Sequence, residues 1–370
     1  MKFQIDKKQY DEIFVFGGGQ VLTTVRMLNV LNPKIREKIN IVVTMSDDGG
    51  RTGKLMNIYP GLLPPGDLRR AYQALCNRLC FLLIDNFNEF DTTDYSLMNL
   101  LTKQYENDIE KLKEIREIAA FKKINFSFDK LHDKLTEHSV GNIVIAAAMM
   151  STECLSDAVE TLAQIFNISG AIYPIIDRVS HIEATYENGK TLKSETEIGD
   201  LDEDWGRIVD FKLISESGSA PEPYKPLIKK LESNTKKLGF IGNGSVFTSI
   251  IASIYPIQDY LKNLDFVLLV NKINNSEVMN FNVSDYVNLF EEYGIDKVVR
   301  IVCNKLNKGY RTKEYFNSIK DLNEAVFTPV KCDLDREYIY EVDMVRDNNI
   351  FKTDIKKLGA RLHDVGLKVI

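Results

Sequence analysis

Three consecutive glycines lie near the start of the chain, between an apolar segment and a helical pattern. Gly17, Gly18 and Gly19 follow the buried-strand pattern of Glu12–Phe16. Glycine leaves room for a phosphate and permits a tight turn, and the helix that follows would offer free N–H groups to an anion. The full dinucleotide fingerprint fails, because Leu22 stands where its third glycine belongs. The segment is therefore either a phosphate loop or a plain strand-to-helix turn.

A second cluster of glycines and charges follows the next predicted strand. Asp47–Lys54 reads Asp-Asp-Gly-Gly-Arg-Thr-Gly-Lys. Open α/β sheets bind ligands at the carboxyl ends of their strands. An acidic residue there can bind ribose hydroxyls or hold Mg²⁺ through water, and Arg51 and Lys54 can meet phosphate. The segment is not a Walker A loop, because Leu55 replaces the required Ser/Thr; the alternative is a solvated turn.

Asp67 follows two prolines and a glycine and precedes a helical pattern. This position predicts an N-cap, the commonest structural role of such an aspartate. The rival roles are metal ligand and acid/base group, and one residue can serve in both ways.

Two further segments combine polar residues with a helix start. Ser139 and Asn142 open an apolar helix in which Gly141 indicates the close approach of a base or another helix. Gly242–Ser245 reads Gly-Asn-Gly-Ser and repeats the strand–glycine–helix order late in the chain. Two such turns in one sheet could together hold a diphosphate.

The elements that would position these residues alternate as in an α/β protein. Strand Glu12–Phe16, a helix to Leu31 and strand Ile39–Thr44 form a βαβ unit. We predict a Rossmann-like, doubly wound, mainly parallel sheet in a single α/β domain over 1–370. An inserted helical subdomain is predicted at 85–135, and a β-rich excursion at 178–223, where Asn188-Gly189 signals a hairpin. The segment 45–67 is predicted to be mostly loop, and a helix to run over 68–83.

The composition and net charge argue against some classes of function. The 370 residues are 44% hydrophobic and 27% charged, which is ordinary for a globular protein. The net charge of −6 argues against nucleic acid as the main partner. Without a long apolar run or a secretory leader pattern, we expect no membrane association and a cytoplasmic location.

The number and spacing of the cysteines do not match a disulfide framework. There are five, an odd number, with scattered spacing. Cys76 and Cys80 would share one helix face, and the sequence favours packed core thiols over a metal site, which would need two more ligands.

Taken in order, these motifs resemble those of one family. It comprises the 2-phospho-lactate transferases (CofD) and the gluconeogenesis-factor-like proteins (YvcK). The family patterns are similar to Gly-Gly-Gly-Thr-Gly, Asp-Asp-Gly-Gly-Ser-Ser-Gly, Pro-Pro-Gly-Asp-Ile-Arg, His-Ser-Phe-Gly-Asn and Gly-Pro-Gly-Ser-Leu-Tyr-Thr-Ser. Departures include Gln20-Val21 for Thr-Gly, Arg51-Thr52 for two serines, Arg70 for Asn and Asn243 for Pro.

The resemblance implies a Rossmann-like core, often a homodimer, that binds a nucleotide diphosphate or nucleotide sugar. Its two branches imply two hypotheses: regulatory binding of a UDP-sugar or similar ligand, or a Mg²⁺-dependent transferase with a nucleotide-linked donor. A third hypothesis is a scaffold that has lost the site. Asp48 and Asp67 are the candidate catalytic residues and metal ligands. The predicted ligand-binding residues are Gly17, Gly18, Gly19, Gln20, Asp47, Asp48, Gly49, Gly50, Arg51, Lys54, Asp67, Ser139, Asn142, Gly242, Asn243, Gly244 and Ser245.

Overall fold

In the part of the chain that the structure describes, twelve strands form one large parallel sheet and two small antiparallel ones. The computed structural model describes residues 10–89, 92–131, 134–199, 201, 205–305, 328–335, 338–346 and 349–364. The strands are β1 (Glu12–Gly17), β2 (Ile39–Val43), β3 (Ala171–Pro174), β4 (Ser180–Tyr186), β5 (Thr191–Leu192), β6 (Ile208–Ser215), β7 (Lys237–Ile241), β8 (Asp265–Leu269), β9 (Val298–Asn304), β10 (Ile339–Val342), β11 (Val345–Arg346) and β12 (Asn349–Thr353).

The large sheet has seven strands in the order β10-β9-β8-β7-β1-β2-β3. β1 pairs in parallel with β2 on one side and with β7 on the other, so Val15 lies between Ile41 and Phe240. From β1 the chain first winds outward through β2 and β3, and later in the opposite direction through β7 to β10. The order therefore reverses between β1 and β7, where doubly wound sheets bind ligands. The predicted Rossmann-like fold class is confirmed.

Helices cover the sheet, and the central strands β1, β2 and β7 are almost entirely buried. This burial on both faces explains their nearly continuous apolar sequences. The helices are α1 (Val21–Leu31), α2 (Gly50–Ile58), α3 (Pro65–Leu75), α4 (Leu97–Gln104), α5 (Ile109–Glu117), α6 (Val140–Ser151), α7 (Leu155–Phe166), α8 (Glu195–Gly199), α9 (Lys225–Glu232), α10 (Ala252–Ile254), α11 (Val283–Glu292) and α12 (Ile355–Asp364).

The predicted hairpin and helical insertion both form. β4 and β5 pair in antiparallel fashion around Asn188-Gly189, where Gly189 has a φ of 80°. β6 pairs along the other side of β4. The predicted insertion contains α4, α5 and short 3₁₀ turns; its standing as a separate subdomain stays a prediction.

Three local predictions were wrong. The segment 45–67 is not mostly loop, because α2 forms directly after Gly49. α3 begins at Pro65 and ends at Leu75, well short of Leu83. Cys76 then turns extended, so Cys76 and Cys80 do not share a helix face; the structure joins them as a disulfide.

The segment after β7 differs from an ordinary helix. Val246–Ile251 forms a π-helical turn, which continues into α10 and a 3₁₀ segment over Tyr255–Asn263. Such π turns often occur at functional sites. None of the helices that the structure describes is both long and apolar enough to cross a bilayer.

Candidate functional site

The first glycine turn closes around the side chain of Asp67. A Cβ on Gly18 would lie 2.4 Å from Asp67 Oδ2 and 2.8 Å from Ser249 Oγ. The Gly19 N–H donates to the Asp67 carboxylate. Asp67 is not the N-cap of α3, as one of the two sequence readings had it, because Pro64 takes that position. A side chain at position 18 would therefore displace Asp67 or Ser249, which come from other elements.

Asp47 extends this contact to the loop after β2. A Cβ on Gly66 would lie 2.7 Å from Asp47 Oδ2, so this carboxylate packs on the backbone next to Asp67. Asp47 Oδ1 accepts the Gly49 N–H at 3.0 Å, and Thr52 donates to the same carboxylate. The two aspartates thus lie side by side, each held by its own glycine turn.

Asp48 binds the start of α8, which lies in the excursion over 178–223. Its Oδ2 accepts the Glu195 N–H at 3.3 Å, and its Oδ1 accepts the N–H and the hydroxyl of Thr196 at 3.2 and 3.1 Å. Ser194 Oγ already caps α8 by accepting the Glu197 N–H at 3.0 Å, and Asp48 accepts the two N–H groups that precede it. Asp48 therefore positions the chain segment that carries Glu195.

Glu195 is a carboxylate that lies outside the glycine-rich sequence motifs. Its Oε2 is buried and has no hydrogen-bond partner among the described residues. Burial first, and then the charges of the nearby Asp67, Asp47, Glu277 and Asp48, raise the pKa of Glu195 to about 10. The carboxyl group is thus neutral at pH 7 unless a cation comes to it.

The pKa values of Asp67 and Asp47 are raised as well. Burial first, and then the charge of Asp47, raise the pKa of Asp67 to about 7, against the pull of Arg70 and Arg69. Burial also raises the pKa of Asp47, although its bonds to Thr52 and Gly49 oppose the shift. We call Asp47, Asp48, Asp67, Glu195 and Glu277 the carboxylate cluster. Its mutual repulsion is the property that a divalent cation would relieve.

Arginines border the carboxylate cluster. Arg69 donates to Asn142 Oδ1 and to the Leu83 carbonyl, both at 2.9 Å. Burial and the charges of Arg70 and Arg51 lower the pKa of Arg69 to about 10, which shows that three guanidinium groups share this region. Such a group of guanidinium donors suits a phosphate or a carboxylate.

The second glycine turn packs against the first. A Cβ on Gly244 would lie 3.0 Å from the Gln20 side chain, and one on Gly242 would lie 2.4 Å from Thr24 Oγ1. Gly244 exchanges two bonds with Asn271: its N–H donates to Oδ1 at 2.9 Å and its carbonyl accepts from Nδ2 at 2.7 Å. Asn243 reaches across to the β8 side of the crevice. The two turns therefore form one continuous wall at the β1–β7 switch point.

A protein carboxylate already occupies the helix start after this second turn. Glu277 Oε2 accepts the N–H groups of Phe247 and Thr248 at 2.6 and 3.3 Å. The Val246 N–H also donates to Glu277, and burial raises the pKa of its carboxyl group. Ser245 forms the N-cap without a side-chain bond. The donors expected for a phosphate are thus bound to Glu277 in this structure.

The remaining predicted residues lie around α6 and α2. Ser139 Oγ accepts the Asn142 N–H at 3.3 Å and so caps α6. Arg51 donates to Asn86 Oδ1, and Lys54 pairs with Glu137 at 2.5 Å, both at the helical insertion. Local sequence signals located the two glycine turns, Asp47 and Asp67. They missed Glu195 and Glu277, which follow no glycine motif.

The fold and the site define a class: a Rossmann-like α/β protein with a polar crevice at its switch point. The family model described as "2-phospho-L-lactate transferase CofD" matches residues 13–350. The chain therefore belongs to the CofD family. The resemblance read from the sequence is confirmed.

Individual relatives agree with this assignment. A Lactococcus lactis protein is 26% identical over 347 residues, which cover 91% of this chain and 89% of that protein. A Bacillus subtilis protein named "Gluconeogenesis factor" is 24% identical over 370 residues, covering 96% and 98%. A crystal structure of a UPF0052 family protein from Bacillus halodurans superimposes with a TM-score of 0.66 at 17% identity, covering 96% of this chain and 100% of that one. The structural likeness supports the fold alone.

Proposed function

We propose that this protein binds a nucleotide diphosphate, carried as a UDP-sugar or a similar ligand, in a regulatory role. The observation that carries the proposal is that two glycine turns and the carboxylate cluster meet at the β1–β7 switch point, with Arg69 and Arg70 beside Asp67. Ligands of doubly wound sheets bind at this position. The Bacillus subtilis relative carries a name that states a metabolic role and no reaction, which favours regulation over catalysis.

The charges suit a diphosphate that arrives with Mg²⁺. Hard oxygen donors are the ligands that Mg²⁺ prefers, and the unpartnered Oε2 of Glu195 is a buried oxygen that a cation would satisfy. Asp67, Asp47 and Glu195 fit this role, whereas the oxygens of Asp48 already bind α8. When bound, Mg²⁺ would neutralise the carboxylates and let the arginines act on the phosphates.

The test is a thermal-shift panel with UDP, UDP-sugars, GDP and NAD, each with Mg²⁺ and with EDTA. A ligand at 100 times its dissociation constant stabilises the native state by about 2.7 kcal/mol. We expect a rise in melting temperature with one nucleotide diphosphate and none with NAD. No shift with any of these ligands would contradict the proposal.

A matched pair of serine variants then locates the ligand. Ser245→Glu places bulk and negative charge at the second turn and should abolish the shift. Ser217→Glu makes the same change in the exposed loop after β6 and should leave the shift intact. An unchanged shift in Ser245→Glu would remove the second turn from the site.

A transferase remains the second candidate, and one observation favours it. The pKa of Asp67 is raised to about 7 by burial and by Asp47, which suits proton transfer at neutral pH. In that case an acceptor alcohol would attack the phosphate of the nucleotide-linked donor, and a nucleoside monophosphate would leave. Release of monophosphate that requires both an acceptor and Mg²⁺ would establish it. If the ligand binds and no acceptor releases monophosphate, the regulatory role stands.

A further inference from the structure

Two cysteines and a glutamate meet on the far half of the sheet. Cys303 near the end of β9 and Glu341 on β10 are direct partners in the parallel pair. Paired residues on neighbouring strands point to the same face. Cys332 approaches them from the segment 328–335. The two Sγ atoms and a Glu341 carboxylate oxygen all lie within 4.8 Å of one another.

The segment that carries Cys332 is fixed on both sides of the cysteine. The Lys331 carbonyl accepts the Val283 N–H at 3.0 Å. Asp333 accepts the N–H of Ser284 at 3.0 Å and its hydroxyl at 2.5 Å, and so holds the segment against the first turn of α11. All three groups therefore stand on backbone that is held by hydrogen bonds, as a preorganised ligand set requires.

We propose that Cys303, Cys332 and Glu341 bind a Zn²⁺-class divalent cation. Two sulfurs and one carboxylate oxygen are ligands that Zn²⁺ accepts, and water would complete a tetrahedron. The close approach of the three ligand atoms matches that coordination. Binding replaces the two thiol protons, which pass to solvent.

The surroundings support a cation at this position. Without a cation the thiols donate weak bonds to carbonyls, from Cys303 to Tyr340 at 3.8 Å and from Cys332 to Leu334 at 3.6 Å. Cys303 is buried while Glu341 is exposed, so an ion has an entry path on the glutamate side.

This site is separate from the carboxylate cluster. β9 is two strands away from β7 in the sheet, and the cluster at the switch point contains no cysteine. The cation would tie β9, β10 and the segment 328–335 together, which is a structural role. The binding of a nucleotide and the binding of this cation can therefore fail independently.

The test uses Co²⁺ as a spectroscopic substitute for Zn²⁺ on the full-length protein with the Cys76–Cys80 disulfide intact. Thiolate ligands give a sulfur-to-Co²⁺ charge-transfer band, which carboxylates alone do not give. We expect one equivalent of Co²⁺ with this band, displaced by Zn²⁺. Cys332→Ala should lose the band, while Cys154→Ala, which alters an exposed free cysteine, should keep it.

Glu341→Gln supplies a variant of an exposed residue that leaves the core intact. Loss of a direct ligand should lower the Zn²⁺ affinity by more than the roughly 10–100-fold typical of outer-shell partners. Three outcomes would each overturn the proposal. The parent protein shows no band, Cys332→Ala keeps the band, or Glu341→Gln binds Zn²⁺ with unchanged affinity. Thiol counting that finds Cys303 and Cys332 joined as a disulfide in the same protein would overturn it as well.

Discussion

Glu277 and Thr248 bind each other through two separate bonds. The Thr248 hydroxyl donates to Glu277 Oε1 at 2.8 Å, and the Thr248 N–H donates to Oε2 at 3.3 Å. Both residues are about 1% exposed. A buried carboxylate thus serves as the internal anion of the π-helical turn that follows the second glycine turn.

Glu277→Ala should destabilise the protein strongly, because it leaves three buried N–H groups without an acceptor. Each unsatisfied buried donor costs about 1–3 kcal/mol. Thr248→Val removes only the hydroxyl bond and should cost about 1 kcal/mol. Denaturant unfolding of both variants measures the difference. Equal losses would show that the N–H groups find other acceptors.

Gly18→Ala should remove ligand binding and lower stability. Its methyl group would meet Asp67 and Ser249 at 2.4 and 2.8 Å, and overpacking of this kind costs about 1–3 kcal/mol. Gly199→Ala is the matched control, because a Cβ there meets nothing within 4 Å. The melting temperature with and without the ligand from the panel is the measurement. Full binding by Gly18→Ala would show that the first turn does not touch the ligand.

Asp67→Asn should stabilise the ligand-free protein more at pH 8 than at pH 5. Burial and Asp47 raise the pKa of Asp67 to about 7, above its unfolded value near 3.9. The native state therefore keeps a proton that the unfolded state releases, and stability is lost as the pH rises through this window. The asparagine has no proton to lose. Melting curves should show a gain at pH 8 that exceeds the gain at pH 5 by about 2 °C; a gain that is equal at both pH values would contradict the raised pKa.

Asp48→Ala should loosen α8 and leave the main sheet intact. The change removes three hydrogen bonds to Glu195 and Thr196, and loss of a helix cap costs about 0.5–2 kcal/mol. Hydrogen exchange at the Thr196 amide should accelerate, while the amides of β1 stay protected. Asp210→Ala, on an exposed ion pair with Lys212, serves as the control. Unchanged exchange at Thr196 would mean that α8 is held by other contacts.

Lys54→Met should have little effect on stability. Lys54 and Glu137 keep exposed side chains, at 55% and 42%, and surface ion pairs contribute about 0–1 kcal/mol. If Lys54 binds the ligand's phosphate, the variant will lower the affinity without changing the melting temperature of the free protein. Titration calorimetry with the ligand from the panel separates the two effects.

The sequence predicted what depends on local pattern. Short apolar runs located β1, β2 and β7, and Asn188-Gly189 located the hairpin, because turn chemistry and burial act over a few residues. α2 was missed because its glycine-rich start resembles a loop, and α3 was overextended because nothing in the pattern marks the turn at Cys76. At these points the local structure depends on tertiary contacts, which a short stretch of sequence does not contain.

The site was predictable only in part, for a related reason. Asp47 and Asp67 follow glycine motifs that mark the ends of strands. Glu195 lies in the excursion and Glu277 in a segment after β8, and neither carries a local signal. Their charges matter because the fold brings them within electrostatic range of Asp67, which is a relationship between distant segments.

The position of β1 in the sheet has a consequence for when, during synthesis of the chain, the ligand site can form. Glu12 pairs with Lys237, so the first strand receives its second neighbour only after most of the polypeptide has been synthesised. Until then one edge of β1 lacks its partner, and the wall formed by Gln20 and Gly244 does not exist. A nascent chain that ends before β7 should therefore be unable to bind the ligand. Ligand binding by a nascent chain should then indicate that β7 has been synthesised.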